Sequence, residues 1–318
     1  MRPRDSIIMP CFNGATHLAQ SVGSVLAQDM TDWELILIDD GSTDNSRAVI
    51  EDFARRDSRI KPLHQPNAGL VATRNRGLGT AVGEHIGFLD ADDTWHPQFL
   101  SALVGALASR ADAGIAYCGW QNIGLGAGRD SPYIPPNYEG GDKIDSLLRT
   151  CPWPVHGALV RASLFREAGH FDESLTACED YDLWLRLASV HRLVLVPQVL
   201  AYYHHHGGEQ MTRNKSLIAL NHLRAQEKFL HANPSVITKL GRRRIRELTS
   251  GGLLRRGYAT YWSRDLPAAR TIFRQVMRHR YGSPKDWLYM LPAWLPETWH
   301  RWLLRQRDRA GMSAGGQP

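Results

Sequence analysis

Residues Glu84–Asp93 read E-H-I-G-F-L-D-A-D-D. An apolar run, Ile86 to Leu89, passes directly into three carboxylates, Asp90, Asp92 and Asp93. A short apolar run closed by turn-forming residues predicts a buried strand that stops at a surface. In open α/β sheets, ligands bind outside the carboxyl ends of the strands. Asp90 and Asp92 are two apart, so they share one side of a strict strand and can turn toward one point where it ends. Converging carboxylates repel each other unless a cation lies between them. Mg²⁺ or Mn²⁺ suits such oxygen donors, and Mg²⁺ commonly takes one or two carboxylates plus substrate phosphates. Taken alone, the stretch fits a metal–diphosphate site and a solvated acidic loop about equally; the flanking sequence decides between them.

On its N-terminal side, Ser6 to Met9 predicts a strand that meets Pro10 and the turn C-F-N-G. Ala15 to Gln28 carries Leu18, Val22, Val25 and Leu26 at helical spacing. Leu35 to Asp40, L-I-L-I-D-D, is a second strand ending in carboxylates. Ser42 or Asp44 is placed to cap a helix running to about Arg56. Ile60 to His64 is a weaker strand, Asn67-Ala68-Gly69 a turn, and Leu70 to Ala81 a helix. Alternating strands and helices, with strands that are almost wholly apolar, predict a parallel α/β sheet. Two of these strands end in acidic residues, which fits a site better than a core.

On its C-terminal side, Pro97 to about Ser109 is a helix and Ile115 to Trp120 a strand. Gly124 to Gly141 reads as a loop, long enough to be a lid or binding loop. Val155 to Val160 is expected as a strand containing His156 and Gly157. Tyr181 to Ser189 is an amphipathic helix introduced by Glu179-Asp180, and Leu193 to Tyr203 is extended before His204-His205-His206. From about Met211 the chain turns helical and basic, with Arg242-Arg243-Arg244 and a helix pair broken at Asp265-Leu266-Pro267. Asp286 to Arg309 places four tryptophans among leucines and arginines, interrupted by Pro292 and Pro296. That composition fits either an interfacial, peripheral membrane segment or a helix packing its tryptophans inward. Gly311 to Pro318 is expected to be disordered.

The bulk numbers narrow the class. The chain has 318 residues, 43% hydrophobic and 22% charged, an ordinary globular balance. Net charge is +6, from 38 Lys and Arg against 32 Asp and Glu, which gives no ground to expect nucleic acid. Cys11, Cys118, Cys151 and Cys178 form no C-x-x-C pair and no zinc spacing, so a reducing compartment is the simpler reading. Ile7 to Met9 is too short for the core of a leader peptide, and no run of about 18 apolar residues predicts a span. The expected location is cytoplasmic, with contact at the inner face of a membrane left open by the Trp-rich end.

Four motifs in order carry a resemblance: S-I-I-M-P-C-F-N-G; Q-D-M-T-D-W-E-L-I-L-I-D-D-G-S-T-D; Q-P-N-A-G-L-V-A-T-R-N-R-G-L; and F-L-D-A-D-D-T-W-H-P. Together they resemble the family 2 glycosyltransferases, inverting enzymes that use nucleotide sugars and have the GT-A fold. The likeness runs from Ser6 to about Thr212. It implies a mixed, mainly parallel sheet flanked by helices over residues 1–212, with a nucleotide-sugar half to about 120 and an acceptor half after it. Residues 213–318 would form a C-terminal helical extension.

The resemblance also implies roles. Pro10 and Asn13 would shape the loop near the base and ribose, and Phe12 offers an aromatic face or a core residue. Asp40 would accept the N3–H of uracil or thymine, which selects UDP or dTDP as donor nucleotide. Asn67 and Gly69 form the turn beside the nucleotide. Arg74, one helical turn on, would reach the base or the diphosphate unless it lies on a solvated face. Asp92 is implied as metal ligand for Mg²⁺ or Mn²⁺, with Asp90 on the ribose or supporting the metal and Asp93 read as a cap of the next helix. E-D-Y-D-L-W-L-R matches a family element in which Asp180 is the base, although an Asp at a helix start is also a common N-cap. His206 is the histidine nearest the family's closing pattern and a candidate third ligand. Trp153, His156 and Glu179 are assigned to the acceptor side, where a saccharide or lipid-linked saccharide would bind. The other readings are a sugar-nucleotide-binding partner without activity and a nucleotidyltransferase on a related scaffold. A dinucleotide-binding oxidoreductase is weaker, since no G-x-G-x-x-G follows the first strand.

Overall fold

Ile7, Ile8 and Met9 of the first strand and Leu35 to Ile38 of the second expose 1% or less of their surface. Strands without polar alternation are buried only where helices cover both faces, the condition of a parallel sheet. Each such side chain contributes about 1.5–3 kcal/mol when fully buried. The computed structural model describes residues 3–126, 128–206 and 214–314. The chain divides into two compact units, with the boundary between residues 208 and 209.

The first unit runs β1 (Asp5–Cys11), α1 (Ala15–Leu26), β2 (Trp33–Asp39), α2 (Ser46–Arg56), β3 (Ile60–His64), α3 (Leu70–Thr80), β4 (His85–Phe88), β5 (Thr94–Trp95) and α4 (Phe99–Ser109). It continues with β6 (Ala113–Ile123), β7 (Pro132–Tyr133), α5 (Lys143–Arg149), β8 (Ala158–Arg161), α6 (Ser163–Ala168), α7 (Glu179–Ala188) and β9 (Arg192–His204). One mixed sheet has the order β3-β2-β1-β4-β8-β6-β9-β5, with β7 beside β6. Strands β3, β2, β1 and β4 are parallel; β8 enters antiparallel to both β4 and β6, and β9 lies parallel to β6. The expected α/β sheet flanked by helices is present.

Several boundaries differ from expectation. Pro10 lies inside β1 opposite Ile38 rather than in the following loop. The β1–β4 pairing stops at Ile8 and Phe88, so Pro10, which alternates to the same side as Ile8, has its donor-less nitrogen where no neighbour needs a hydrogen. Helix α2 begins after Asn45, and neither Ser42 nor Asp44 caps it; Asp44 accepts from the Ser46 and Ala15 amides instead. Val155–Gly157 is a 3₁₀ turn, and only Ala158 onward is strand. The expected 124–141 loop contains β7 and a 3₁₀ turn at Tyr138–Gly140.

The second unit contains α8 (Lys215–Ala232), α9 (Pro234–Leu240), α10 (Arg242–Arg246), α11 (Gly252–Trp262), α12 (Leu266–Arg278), α13 (Pro284–Met290) and α14 (Glu297–Ala314). The break at Asp265 is as the sequence predicts: its carboxylate accepts from the Ala268 amide and caps α12. Ala269, Ile272, Phe273 and Val276, at i, i+3, i+4 and i+7 on one face of α12, are fully buried and form the centre of this unit's core. The tail expected to be disordered from Gly311 is helical to Ala314; residues 315–318 lie outside the described residues. Among the described residues no helix is long and apolar enough to cross a membrane.

Candidate active site

The loops leaving β1 and β2 are tied together by the residues that terminate those strands. Asn13, at φ 51°, accepts through Oδ1 from the Thr43 amide (2.8 Å), while its own amide donates to Ser42 Oγ (3.0 Å). Phe12 is 53% exposed, so it is not a core residue and its ring faces solvent. Asp40 is buried, and its Oδ1 accepts from Ala68 N (2.8 Å) and Gln65 Nε2 (2.6 Å), while Oδ2 accepts from Gly69 N (2.9 Å). A carboxylate has about four acceptor positions, so Asp40 holds the 67–69 turn with one to spare. Gly41 has φ +73°, and a Cβ there would lie 2.6 Å from the Asn67 amide; only glycine lets these two turns approach. Asn67 itself is exposed.

The acidic end of β4 is divided among three neighbours. Asp90 Oδ1 accepts from Arg74 Nη2 at 2.6 Å, and Arg74 Nη1 donates to Glu179 Oε1 at 2.6 Å. Arg74 is 2% exposed, so it lies on no solvated face, and its guanidinium is committed to these two carboxylates. Burial works against its charge, but Asp90 and Glu179 more than offset this and raise its pKa. Asp92 Oδ2 lies 2.8 Å from His206 Nε2, and the His206 ring stacks on His17 at 4.5 Å. Burial, followed by the charges of Asp93 and Asp90, raises the Asp92 pKa. Asp93 caps no helix. It is buried, accepts from the His204 amide through Oδ1 (2.9 Å), and sets Oδ2 3.0 Å from His156 Nδ1. Gly207 and Gly208, which complete the expected histidine–glycine pattern, lie outside the described residues.

Helix α7 brings the second set of carboxylates. Its N-cap is Cys178, in the left-handed region at φ 58°, so Asp180 sits within the first turn and is not the cap. Glu179 turns inward to Arg74, while Asp180 is half-buried, with Oδ1 on the Tyr181 amide (2.7 Å) and Oδ2 3.8 Å from Cys151 Sγ. Burial and the adjoining Glu179 push the Asp180 carboxyl up to about 7, with Arg74 opposing. A carboxyl poised there can take up a proton near neutral pH. Asp182 pairs with Arg186 at 2.9 Å and is structural.

Two acceptor-side expectations are corrected. Trp153 is 1% exposed and stacks on Tyr117 at 4.5 Å, with Trp184 at 5.6 Å; it fills the core beneath α7. His156 is fully buried against Asp93 and Tyr203, and its carbonyl accepts from Trp95 Nε1 (2.7 Å). Neither lines an open surface. The sequence reading missed Cys151 and Cys178 beside Asp180. Burial and then Asp180 raise the Cys151 thiol well above its ordinary value, so it stays protonated and inert. Cys178 directly before Glu179-Asp180 was the one available signal; nothing in the sequence linked Cys151 to that helix.

The arrangement joins the end of β4 to the start of α7 through one guanidinium, with Asp92 and His206 forming a separate O/N donor pair. Among the described residues no three His, Cys, Asp or Glu side chains converge into a ready-made metal cage. The glycosyl transferase family 2 model matches residues 6–168. "Uncharacterized glycosyltransferase EpsJ" of Bacillus subtilis (strain 168) is 34% identical over 194 residues, covering 57% of this chain and 54% of EpsJ. The chain thus spans about half the length of that relative. Among solved structures, S. aureus TarS 1-349 in complex with UDP-GlcNAc aligns with a TM-score of 0.65 at 17% identity, over 87% of this chain and 81% of that one. The mannosyltransferase PcManGT from Pyrobaculum calidifontis, in complex with GDP-Man and Mn²⁺, aligns with a TM-score of 0.60 at 18% identity, over 95% and 84%. These structural likenesses bear on the fold, which is of the GT-A type. With the family model covering half its length and the four motifs falling at the ends of β1, β2 and β4 and the start of α3, the chain belongs to glycosyl transferase family 2.

Proposed function

We propose that the chain transfers a sugar from a nucleotide diphosphate donor to a hydroxyl acceptor with inversion at the anomeric carbon. The observation that carries this reading is the Asp90–Arg74–Glu179 bridge, which ties the acidic end of β4 to the helix turn bearing Asp180. Asp180 would take the proton from the acceptor hydroxyl as its oxygen attacks the anomeric carbon. The bond from that carbon to the diphosphate oxygen breaks on the opposite face, and its electron pair leaves with the nucleotide. Asp40 and the 67–69 turn would receive the base, with Phe12 and Asn13 alongside. Asp40's remaining acceptor position suits a ring N3–H, which supports UDP or dTDP.

The Asp92–His206 pair fits a divalent cation. It offers one oxygen and one nitrogen donor, and Asp92 is held in a crowd of like charges that a cation would relieve. Mg²⁺ or Mn²⁺ held there would supply positive charge against the departing diphosphate. The neighbour solved with GDP-Man and Mn²⁺ supports the use of a metal, and it also brings in GDP beside the UDP of the TarS complex. The acceptor class is a saccharide or lipid-linked saccharide, as in assembly of cell-surface polysaccharide or glycolipid.

The test is calorimetric binding of UDP, dTDP, GDP and ADP, each with and without Mn²⁺, to the wild-type chain and to Asp92→Asn. Metal-dependent binding of UDP or dTDP that Asp92→Asn abolishes is the expected result. Binding of GDP alone would overturn the Asp40 assignment. Metal-dependent binding that survives in Asp92→Asn would overturn the metal site. No binding to any of the four by a folded sample would favour the inactive-partner reading.

A further inference from the structure

The second unit has already built its core without most of its tryptophans. The inward faces of α11 and α12 and residues Met290 and Ala293 close that core. Helix α14 turns His300 and Leu304 inward, one turn apart. Its opposite stripe, Trp299, Trp302 and Leu303 at i, i+3 and i+4, is 65%, 56% and 37% exposed. The preceding turns continue the pattern at three-residue spacing: Leu288, Leu291 and Trp294 are 68%, 53% and 53% exposed. Soluble monomers seldom leave so many large apolar side chains of one short segment in water.

We infer that this stripe is a contact surface for an anionic lipid bilayer, entered to interfacial depth. Trp and Leu between arginines are what a membrane interface selects, since the indole has an apolar body and a polar N–H. Charge supports the choice of occupant. Residues 262–305 contain eight Arg and Lys (264, 270, 274, 278, 280, 285, 301 and 305) against three Asp and Glu (265, 286 and 297). The Arg274 guanidinium lies 5.4 Å over the Trp294 ring, and Arg301 pairs with Glu297 at the edge of the stripe. A second copy of this chain on the same face would bring that positive excess against itself, whereas an anionic leaflet neutralises it. Pro292 and Pro296 break the segment into short pieces, which suits lying in the headgroup plane.

The surface is tested on the full chain with vesicles of phosphatidylcholine alone and with about 30 mol% phosphatidylglycerol, by co-sedimentation and tryptophan emission. Binding to the anionic vesicles, a blue-shifted emission, and weakening at about 0.5 M salt are expected. Trp299→Ser/Trp302→Ser should weaken binding about tenfold or more, and Leu288→Ser/Leu291→Ser should weaken it independently. Failure to bind either vesicle overturns the inference, as does binding that neither double variant alters. A wild-type dimer that the Trp299→Ser/Trp302→Ser variant dissolves, without vesicle binding, would assign the stripe to a second copy. None of these outcomes depends on nucleotide binding, so this inference and the transfer reading fail separately.

Discussion

The two units treat the same residue in opposite ways. In the first, Trp33, Trp95, Trp153 and Trp184 are all 3% exposed or less; in the second, Trp262, Trp294, Trp299 and Trp302 are all more than half exposed. The first unit also buries charge, with Arg74, Asp40, Asp93 and Glu179 each 5% exposed or less. An α/β sheet covered on both sides has an interior wide enough to pack indoles and to hold ion pairs away from water. The helices of the second unit close their core mainly with Leu, Ala, Ile, Phe, Val, Met and Tyr, with Trp287 packed partly against it, and leave the other four indoles outside. Burial of the tryptophans in one unit is structural. Their exposure in the other costs solvation and calls for a partner, whereas the buried charges of the first unit call for chemistry.

The contrast can be broken at several points. The largest effect is expected from Asp180→Asn: transfer should fall roughly 10²- to 10⁴-fold, the range of a lost general base, with donor binding unchanged. Nucleotide affinity that falls with turnover would refute a base role and leave Asp180 as a binding residue. Next comes Arg74→Met, which strands Glu179 as a buried, unpaired carboxylate. It should cost about 3–5 kcal/mol in a urea unfolding experiment. A loss under about 1 kcal/mol would mean that water reaches the bridge and that the first unit does not truly bury charge. Trp153→Ala should likewise cost about 3–5 kcal/mol, as the loss of a packed indole does.

The pH dependence of the two units should have opposite sign. In the first, the folded state holds the Asp180 proton up to about 7, above its unfolded value near 4. Its contribution is therefore present below about pH 4 and lost as pH rises through about 7. Transfer needs the ionised form and should rise over the same interval. In the second unit His300 is buried, and burial followed by Arg270 and Arg274 pushes it down to about 4. Its contribution is present above about pH 6.5 and lost as pH falls through about 4. Urea unfolding of wild type, Asp180→Asn and His300→Gln at pH 5 and pH 8 checks both signs. Equal pH slopes in wild type and Asp180→Asn would show that Asp180 keeps an ordinary pKa. The smallest effect is expected from Trp299→Ser, within about 0.5 kcal/mol of wild type. A cost near that of Trp153→Ala would erase the contrast and show that Trp299 packs.

The sequence made the strand–helix alternation of the first unit legible because apolar periodicity is local: each of the strands β1, β2 and β4 is a short run whose burial its own residues announce, while β3 buries only Ile60 and reads more weakly. The acidic ends of β2 and β4 and the helix at Glu179-Asp180 were visible for the same reason. The break between helices at Asp265-Leu266-Pro267 was visible too, since a helix start is signalled within a few residues; that the Asp265 carboxylate caps α12 came from the structure. Burial of individual polar and aromatic side chains was not. His156 and Trp153 sit in a stretch with turn character, and only the sheet and α7 packed over them make them core. Arg74 and Glu179 are 105 residues apart, and no local pattern pairs them. Whether a carboxylate faces substrate or a buried guanidinium depends on which element lies opposite, and that is set by sheet order. The sequence by itself therefore determined the element types, the acidic strand ends and the family, all properties of short windows. The tertiary structure decided which carboxylates are bridged, which tryptophans are core and which remain in water, because those depend on contacts between residues distant in the chain.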